Sequence, residues 1–137
     1  MNLAKQKIYS PNQVLAASFL GGPMAMVYVL WKNFQTLENP HGMQQILLWG
    51  SIFIIALMLF SPLLPNSLLD YVIPFAYPLA AWSLAENFQM SKQAIADSQT
   101  YEFQTIGNVI AVSILFLLAM LVVSFAWFFV LMAVGLI

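Results

Sequence analysis

Four long apolar blocks, separated by shorter polar stretches, set the pattern of hydrophobic and polar positions along this chain. The blocks cover about residues 11–34, 44–64, 68–85 and 106–132. The longest polar stretch, residues 86–105, separates the last two. At about 1.5 Å per helical residue, three of the blocks are long enough to cross a hydrocarbon core of about 30 Å, and the third, at roughly 27 Å, is just enough for a thin bilayer. The pattern predicts an all-α integral membrane bundle of four transmembrane helices in a single domain, residues 1–137.

The first block has a clear helix start and an interruption near its middle. Ser10-Pro11-Asn12-Gln13 has the form of a capping box, with serine at the N-cap and glutamine three residues later. Gly21-Gly22-Pro23 lies halfway along the block. Because proline lacks an N–H and crowds the carbonyl four residues back, we expect a kink at Pro23.

The third block is the shortest and carries two prolines, Pro74 and Pro78, four residues apart. Ser67-Leu68-Leu69-Asp70 resembles a second capping box and favours a helix start there. We predict a short, proline-bent span. A re-entrant hairpin that does not cross the bilayer is the alternative. Together with Pro23, the two prolines are candidate hinges.

The second block is uniformly apolar, and Asn39-Pro40 is a suitable cap for its first turn. We expect it to face lipid over much of its circumference, with little to hold a neighbouring helix closely. The fourth block has no charged residue and, between Asn108 and Val134, no proline or glycine. It predicts one long helix. The polar stretch shows no apolar stripe at the helical period, which argues against an interfacial amphipathic helix.

Small residues form a ridge on the first block. Ala17, Gly21 and Ala25 recur at intervals of four, and Ser18 and Gly22 repeat the same spacing. Helices approach one another closely at such ridges in membranes. Packing within the bundle is the favoured interpretation, and contact with a second copy or with a partner's helix is the alternative.

The chain carries little charge, and this scarcity of charge limits the possible partners. Hydrophobic residues make up 62% of the chain and charged residues only 7%, so the surrounding solvent is lipid. A net charge of −1 without any arginine gives no reason to expect nucleic acid. Two lysines fall on each side of the predicted bundle, so lysine counts leave the orientation open. The weight usually given to the first span favours cytoplasmic placement of both termini.

Candidate catalytic chemistry is sparse. His41 is the sole histidine, Glu38 is its nearest carboxylate, and cysteine is absent. Because a catalytic metal site takes about three protein ligands, we expect neither a metal nor another cofactor. Hydrolase, phosphate-binding and redox motifs are also lacking. The sequence therefore predicts a non-catalytic accessory or partner-binding protein. An oligomeric carrier or pore for a small solute or lipid is the alternative, and a lipid-modifying enzyme that uses His41 and Glu38 comes third.

Three segments of the first quarter of the chain carry a resemblance. They are Ile8-Tyr9-Ser10-Pro11-Asn12-Gln13-Val14, Phe19-Leu20-Gly21-Gly22-Pro23 and Trp31-Lys32-Asn33-Phe34. This pattern, Tyr-Ser-Pro-x-Gln followed by Phe-x-Gly-x-Pro, resembles the start of a family of small uncharacterised bacterial inner-membrane proteins. The resemblance implies a bacterial inner membrane and brings no activity with it.

Overall fold

The chain folds as an all-α membrane bundle of four long apolar segments, as a computed structural model covering residues 4–137 shows. The long helices are α1 (Pro11–Thr36), α2 (Pro40–Phe60), α3 (Ile73–Phe88) and α5 (Ile106–Ala133). The short elements are β1 (Gln6–Ile8), α4 (Lys92–Asp97) and β2 (Tyr101–Phe103). All four long segments have the length and composition to cross a membrane. The predicted all-α helical bundle with four long apolar segments is confirmed, and the protein is an integral membrane protein.

α1 is a hairpin of two half-helices. The backbone N–H of Tyr9, just before α1, donates to the side-chain oxygen of Asn33, near its end, at 2.8 Å. A straight 26-residue helix would hold its ends about 39 Å apart. The two ends meet because the backbone leaves helical geometry at Gly22. The halves, residues 11–21 (α1a) and residues 23–36 (α1b), therefore enter and leave at the same end of the bundle.

The reversal at Gly22 has a local cause. Its φ of 83° and ψ of −173° lie in a region that side chains disfavour and glycine adopts readily. Pro23 follows and starts α1b at its fixed φ, so the predicted kink becomes a complete turn of the chain. A Cβ at Gly22 would lie 3.3 Å from Cγ of Met120, near the middle of α5. α1a alone rises about 16 Å, which is about half the thickness of a ~30 Å hydrocarbon core.

The α1 hairpin is the core of the molecule. Half of the residues in its most apolar window are buried, against 11–17% in the other three long segments. α2, α3 and α5 each pack extensively on α1 and make few contacts with one another. The outer helices consequently present most of their apolar surface to lipid, as predicted for the second block.

α2 holds α1 more closely than expected. Asn39 caps it as predicted, accepting from the N–H of Gly42 at 2.9 Å. A Cβ at Gly42 would collide with the Phe34 ring, and one at Gly50 would collide with the Val27 side chain. The expectation of a loosely held second block was therefore wrong: two glycines eight residues apart let α1b approach the α2 backbone.

α3 is one continuous helical segment preceded by a π-helical turn, Leu68–Val72. Ser67 forms no side-chain capping bond, so the capping box predicted there is wrong. The wide π turn leads into Pro74, which needs no backbone N–H partner in the first turn of α3. The helix continues through the buried Pro78. Residues 68–85 thus follow one continuous helical path, which favours the predicted span over the re-entrant alternative.

Residues 86–105, expected to be a loop, are largely folded. β2 pairs in parallel with β1, from Gln6 opposite Tyr101 to Ile8 opposite Phe103. α4 follows a serine N-cap and buries Ile95. We call β1, α4 and β2 the platform, and the end of the bundle that carries it the polar end. The pairing of β1 with β2 joins residues far apart in the sequence, so hydrophobic periodicity gives no sign of it.

The hairpin sets the direction of every later element. α1 begins and ends at the polar end, after which α2, α3 and α5 each run the length of the bundle. Lys5 therefore lies at the polar end and Ile137 at the far end. Four straight crossings would bring both termini to the same end of the bundle, whereas the fold-back of α1 puts them at opposite ends.

Candidate functional site

A set of hydrogen bonds at the polar end closes the α1 hairpin. Asn33, which is 1% exposed, accepts from the Tyr9 N–H and donates to the Tyr9 carbonyl, both at 2.8 Å. Its second amide hydrogen goes to Oε1 of Gln89, also at 2.8 Å. We call Tyr9, Asn33, Gln89 and Asn108 the clasp.

The clasp also fastens two outer helices. Gln89, which directly follows α3, donates to the carbonyl of Leu30 at 2.9 Å. The Tyr9 hydroxyl donates to the side-chain oxygen of Asn108 in the first turn of α5. The ends of α1a, α1b, α3 and α5 are therefore joined through side chains as well as through apolar contact.

The hydroxyl of Tyr9 is held neutral. Burial, and to a smaller degree the nearby Tyr28, raises the pKa of this hydroxyl to about 12. A protonated phenol keeps its hydrogen available for Asn108. The role of Tyr9 is accordingly that of a hydrogen-bond donor at neutral pH.

The chemistry of the clasp is that of amides and one phenol. Both amide hydrogens and the side-chain oxygen of Asn33 are hydrogen-bonded within the protein. Groups already paired in this way stabilise an arrangement and leave no base or nucleophile aimed at a cavity. Within residues 4–137, no cluster of three or more His, Asp or Glu residues could hold a metal ion.

The predicted ridge lies inside the chain's own bundle. Ala17, Ser18 and Ala25 are fully buried, Gly21 is buried and Gly22 is half-buried. A Cβ at Gly21 would stand 3.0 Å from the carbonyl oxygen of Ser113, so α1a meets the backbone of α5 there. The carbonyl of Ser18 accepts from the Tyr77 hydroxyl of α3 at 3.1 Å. The ridge is therefore divided by the reversal: Gly21 faces Ala25 across the hairpin and Ser113 of α5, and Ser18 bonds to α3.

The other sequence-predicted residues fall at three separate places. Pro23 lies at the tip of the hairpin, whereas Pro74 and Pro78 lie along α3. Glu38 occupies the turn between α1 and α2 with a positive φ of 55°. His41 is exposed in the first turn of α2. The structure brings neither the prolines nor His41 into the clasp.

His41 instead lines a groove between α2 and α3. The groove has two connected parts of about 620 and 370 Å³, which share Ile46, Trp49 and Leu84 in their linings. Its floor is α1b. Polar side chains line the part at the polar end, whereas the deeper part is apolar.

Comparison of the chain with protein-family models, with curated proteins and with solved structures gives no match. The site is therefore interpreted from its own geometry. Sequence reasoning missed the clasp, although one signal was present. Asn33 follows a long apolar run and lies in the same resemblance-bearing pattern as Tyr9. Only the reversal at Gly22 explains why the two residues belong together.

Proposed function

We propose that the protein is a non-catalytic accessory subunit that binds a partner protein through the platform at the polar end of the bundle. One observation carries this proposal: residues 86–105 form, with β1, a folded surface rather than a free loop. The N–H of Gln6 donates to the Thr100 carbonyl at 2.8 Å, and that of Gln104 donates to the Ile8 carbonyl at 2.9 Å. A surface that is ordered beforehand loses less conformational entropy on binding.

The platform has groups to offer a partner. Its sheet has two strands, so within residues 4–137 each strand keeps one unpaired edge that an added strand could extend. Lys92, Asp97 and Glu102 are exposed and lie near these edges or on α4. Backbone edges would supply affinity, and the mixed charges would select the partner.

The interior supports the non-catalytic part of the proposal. Its polar side chains hold the hairpin, and the ridge once considered a partner surface packs against α3 and α5. The resemblance carried by Tyr9, Gly21 and Asn33 leads us to place the protein in a bacterial inner membrane. Lipid remains in contact with the outer faces of α2, α3 and α5.

The proposal is tested by affinity purification in a mild detergent. The charge reversals Lys92→Glu and Glu102→Lys, made together, change the platform without removing a hydrogen bond of the fold. We expect a stoichiometric partner with the unaltered protein and a clear loss with the double variant. Asn66→Lys, exposed at the far end, is the matched control and should keep the partner. Purification of the unaltered protein alone would contradict the proposal.

One observation favours a second candidate, an oligomeric carrier or pore. The helix of α1 is broken near its middle by Gly22 and Pro23, and interrupted helices occur where membrane proteins line a solute path. A homo-oligomer with solute or lipid flux in liposomes, abolished by closing that break, would favour this candidate over the accessory subunit.

A further inference from the structure

We propose that the groove between α2 and α3 binds one lipid molecule, with an acyl chain along its apolar part and a zwitterionic head group at its polar lip. This site is separate from the platform, and it is independent of the function proposed above. Four features of the groove lead to this ligand: its polarity gradient, the free hydrogen-bond donors at its polar end, its depth and its lack of charge.

The polarity of the groove changes along its length as that of a lipid does. Asn39, His41 and Gln45 line the lip at the polar end. Farther in, the lining is Met26, Gly50, Ala76 and Ala80 with their apolar neighbours. A ligand that fits must have a polar end at the membrane surface and a hydrocarbon body below it.

The lip keeps hydrogen-bond donors free. Asn39 uses its side-chain oxygen to accept from the Gly42 N–H, and Gln45 uses its own to accept from the Trp49 indole at 2.9 Å. Their amide NH₂ groups make no bond within residues 4–137, and neither does His41. Phosphate and ester oxygens of a glycerolipid are the acceptors that such donors suit.

The groove is one leaflet deep. From His41 to Phe53, α2 rises about 18 Å, close to half of a ~30 Å hydrocarbon core plus the start of the head-group layer. Toward the deep end, the rings of Phe53 and Tyr77 lie with their centroids 6.0 Å apart, and Ile73 completes the lining. A partner's transmembrane helix would need a groove that continues through both leaflets. An acyl chain of one leaflet fits the length observed.

The charge of the lining selects the head group. Neither part of the groove is lined by a Lys, Arg, Asp or Glu residue. An anionic head group would find no cation at the lip, so phosphatidylethanolamine should be preferred over phosphatidylglycerol. Because lipid tails are as apolar as the groove, the preference must come from head-group hydrogen bonds and from shape.

The test uses the purified full chain in detergent with added phosphatidylethanolamine or phosphatidylglycerol, followed by native mass spectrometry. We expect one retained phosphatidylethanolamine per chain, with phosphatidylglycerol retained at least about threefold less. Ala80→Phe places a ring in the groove from an exposed position and should lower retention at least about threefold. Ala126→Phe, equally exposed on α5, is the matched control and should leave retention unchanged.

A second variant removes polar groups of the lip at two exposed positions, together with the hydrogen bond between Gln45 and Trp49. His41→Leu combined with Gln45→Leu should remove the preference for phosphatidylethanolamine, because the freed donors are lost, while the protein still folds. A photoreactive phosphatidylethanolamine should label α2 and α3 around the groove. Label spread evenly over α2, α3 and α5, or equal retention by Ala80→Phe and Ala126→Phe, would overturn the proposal. So would crosslinked dimers in which a second copy shields the groove from the lipid.

Discussion

Tyr9 and Asn33 are 24 positions apart along the chain, yet the Asn33 side chain bonds both the N–H and the carbonyl of Tyr9 at 2.8 Å. In an uninterrupted helix the same separation would be about 36 Å. This one pair therefore establishes that the first apolar segment folds back on itself. It also gives the buried backbone of Tyr9 the partners that it would otherwise lack in a water-poor environment.

Asn33→Leu should destabilise the protein by roughly 2–4 kcal/mol, because it leaves the N–H and carbonyl of Tyr9 buried without partners. Asn87→Leu is the matched control. Asn87 is exposed and bonds only to Ser83 of its own helix, so its loss should cost well under 1 kcal/mol. Denaturant unfolding in detergent measures both variants. Equal effects would show that the clasp does not hold the hairpin.

The course of α1 predicts which segments share a side of the membrane. The chain has no cysteine, so an introduced single cysteine is the only thiol that a maleimide can label. Ala4→Cys, Glu38→Cys and Gln99→Cys should react with a membrane-impermeant maleimide from one side, and Asn66→Cys from the other. If the first segment crossed completely, Glu38→Cys would react from the side opposite to Ala4→Cys. Labelling of intact and inverted vesicles separates the two results.

The bundle itself followed from hydropathy because helix length and bilayer thickness leave few alternatives. The kink at Pro23 was also predictable, since proline acts on its own helix. The reversal of the chain at Gly22 was not predictable. Whether a helix bends or reverses at Gly22 depends on the clasp between Tyr9 and Asn33, a long-range contact that no local pattern encodes.

The candidate sites likewise depend on long-range contacts that local sequence patterns do not encode. The spacing of Ala17, Gly21 and Ala25 assumes one unbroken helix, whereas the reversal at Gly22 puts Ala25 on the other half of the hairpin, where it faces Gly21. The groove depends on α2 and α3 diverging around α1b, and the platform depends on strands of three residues each. Segments so short are below the length at which alternation is informative.

Gly22→Ala should destabilise the hairpin by about 1–3 kcal/mol, because the residue has a φ of 83° and packs on Met120. Gly107→Ala is the control, and its expected effect on stability has the opposite sign. Gly107 is helical with nothing near its missing Cβ, so alanine should stabilise α5 by about 0.5–1 kcal/mol. Thermal unfolding of the two variants gives the comparison. A neutral Gly22→Ala would mean that the break is not strained.

Two neighbours on the ridge should respond differently to substitution. Gly21→Leu drives a side chain into the backbone of Ser113 and should lower stability by more than about 3 kcal/mol. Ser18→Ala should be neutral or slightly stabilising, because the Ser18 hydroxyl is buried and has no hydrogen-bond partner among residues 4–137. Crosslinking between α1a and α5, with unfolding in detergent, tests both. Tolerance of Gly21→Leu would argue against close packing at the ridge.

The clasp should weaken in alkali because of Tyr9. Its pKa is about 12 in the folded protein and 10.0 for an ordinary tyrosine, so between these values the unfolded chain loses a proton that the folded chain keeps. Stability therefore falls as pH rises from 10 to 12 and is unaffected by Tyr9 below this window.

Tyr9→Phe should lower stability at neutral pH by about 0.5–1.5 kcal/mol through loss of the bond to Asn108, and should flatten the alkaline decline. Tyr101→Phe should leave the decline in place. Unfolding followed from pH 8 to 12 distinguishes them, and an identical slope in Tyr9→Phe and the unaltered protein would remove Tyr9 as its source.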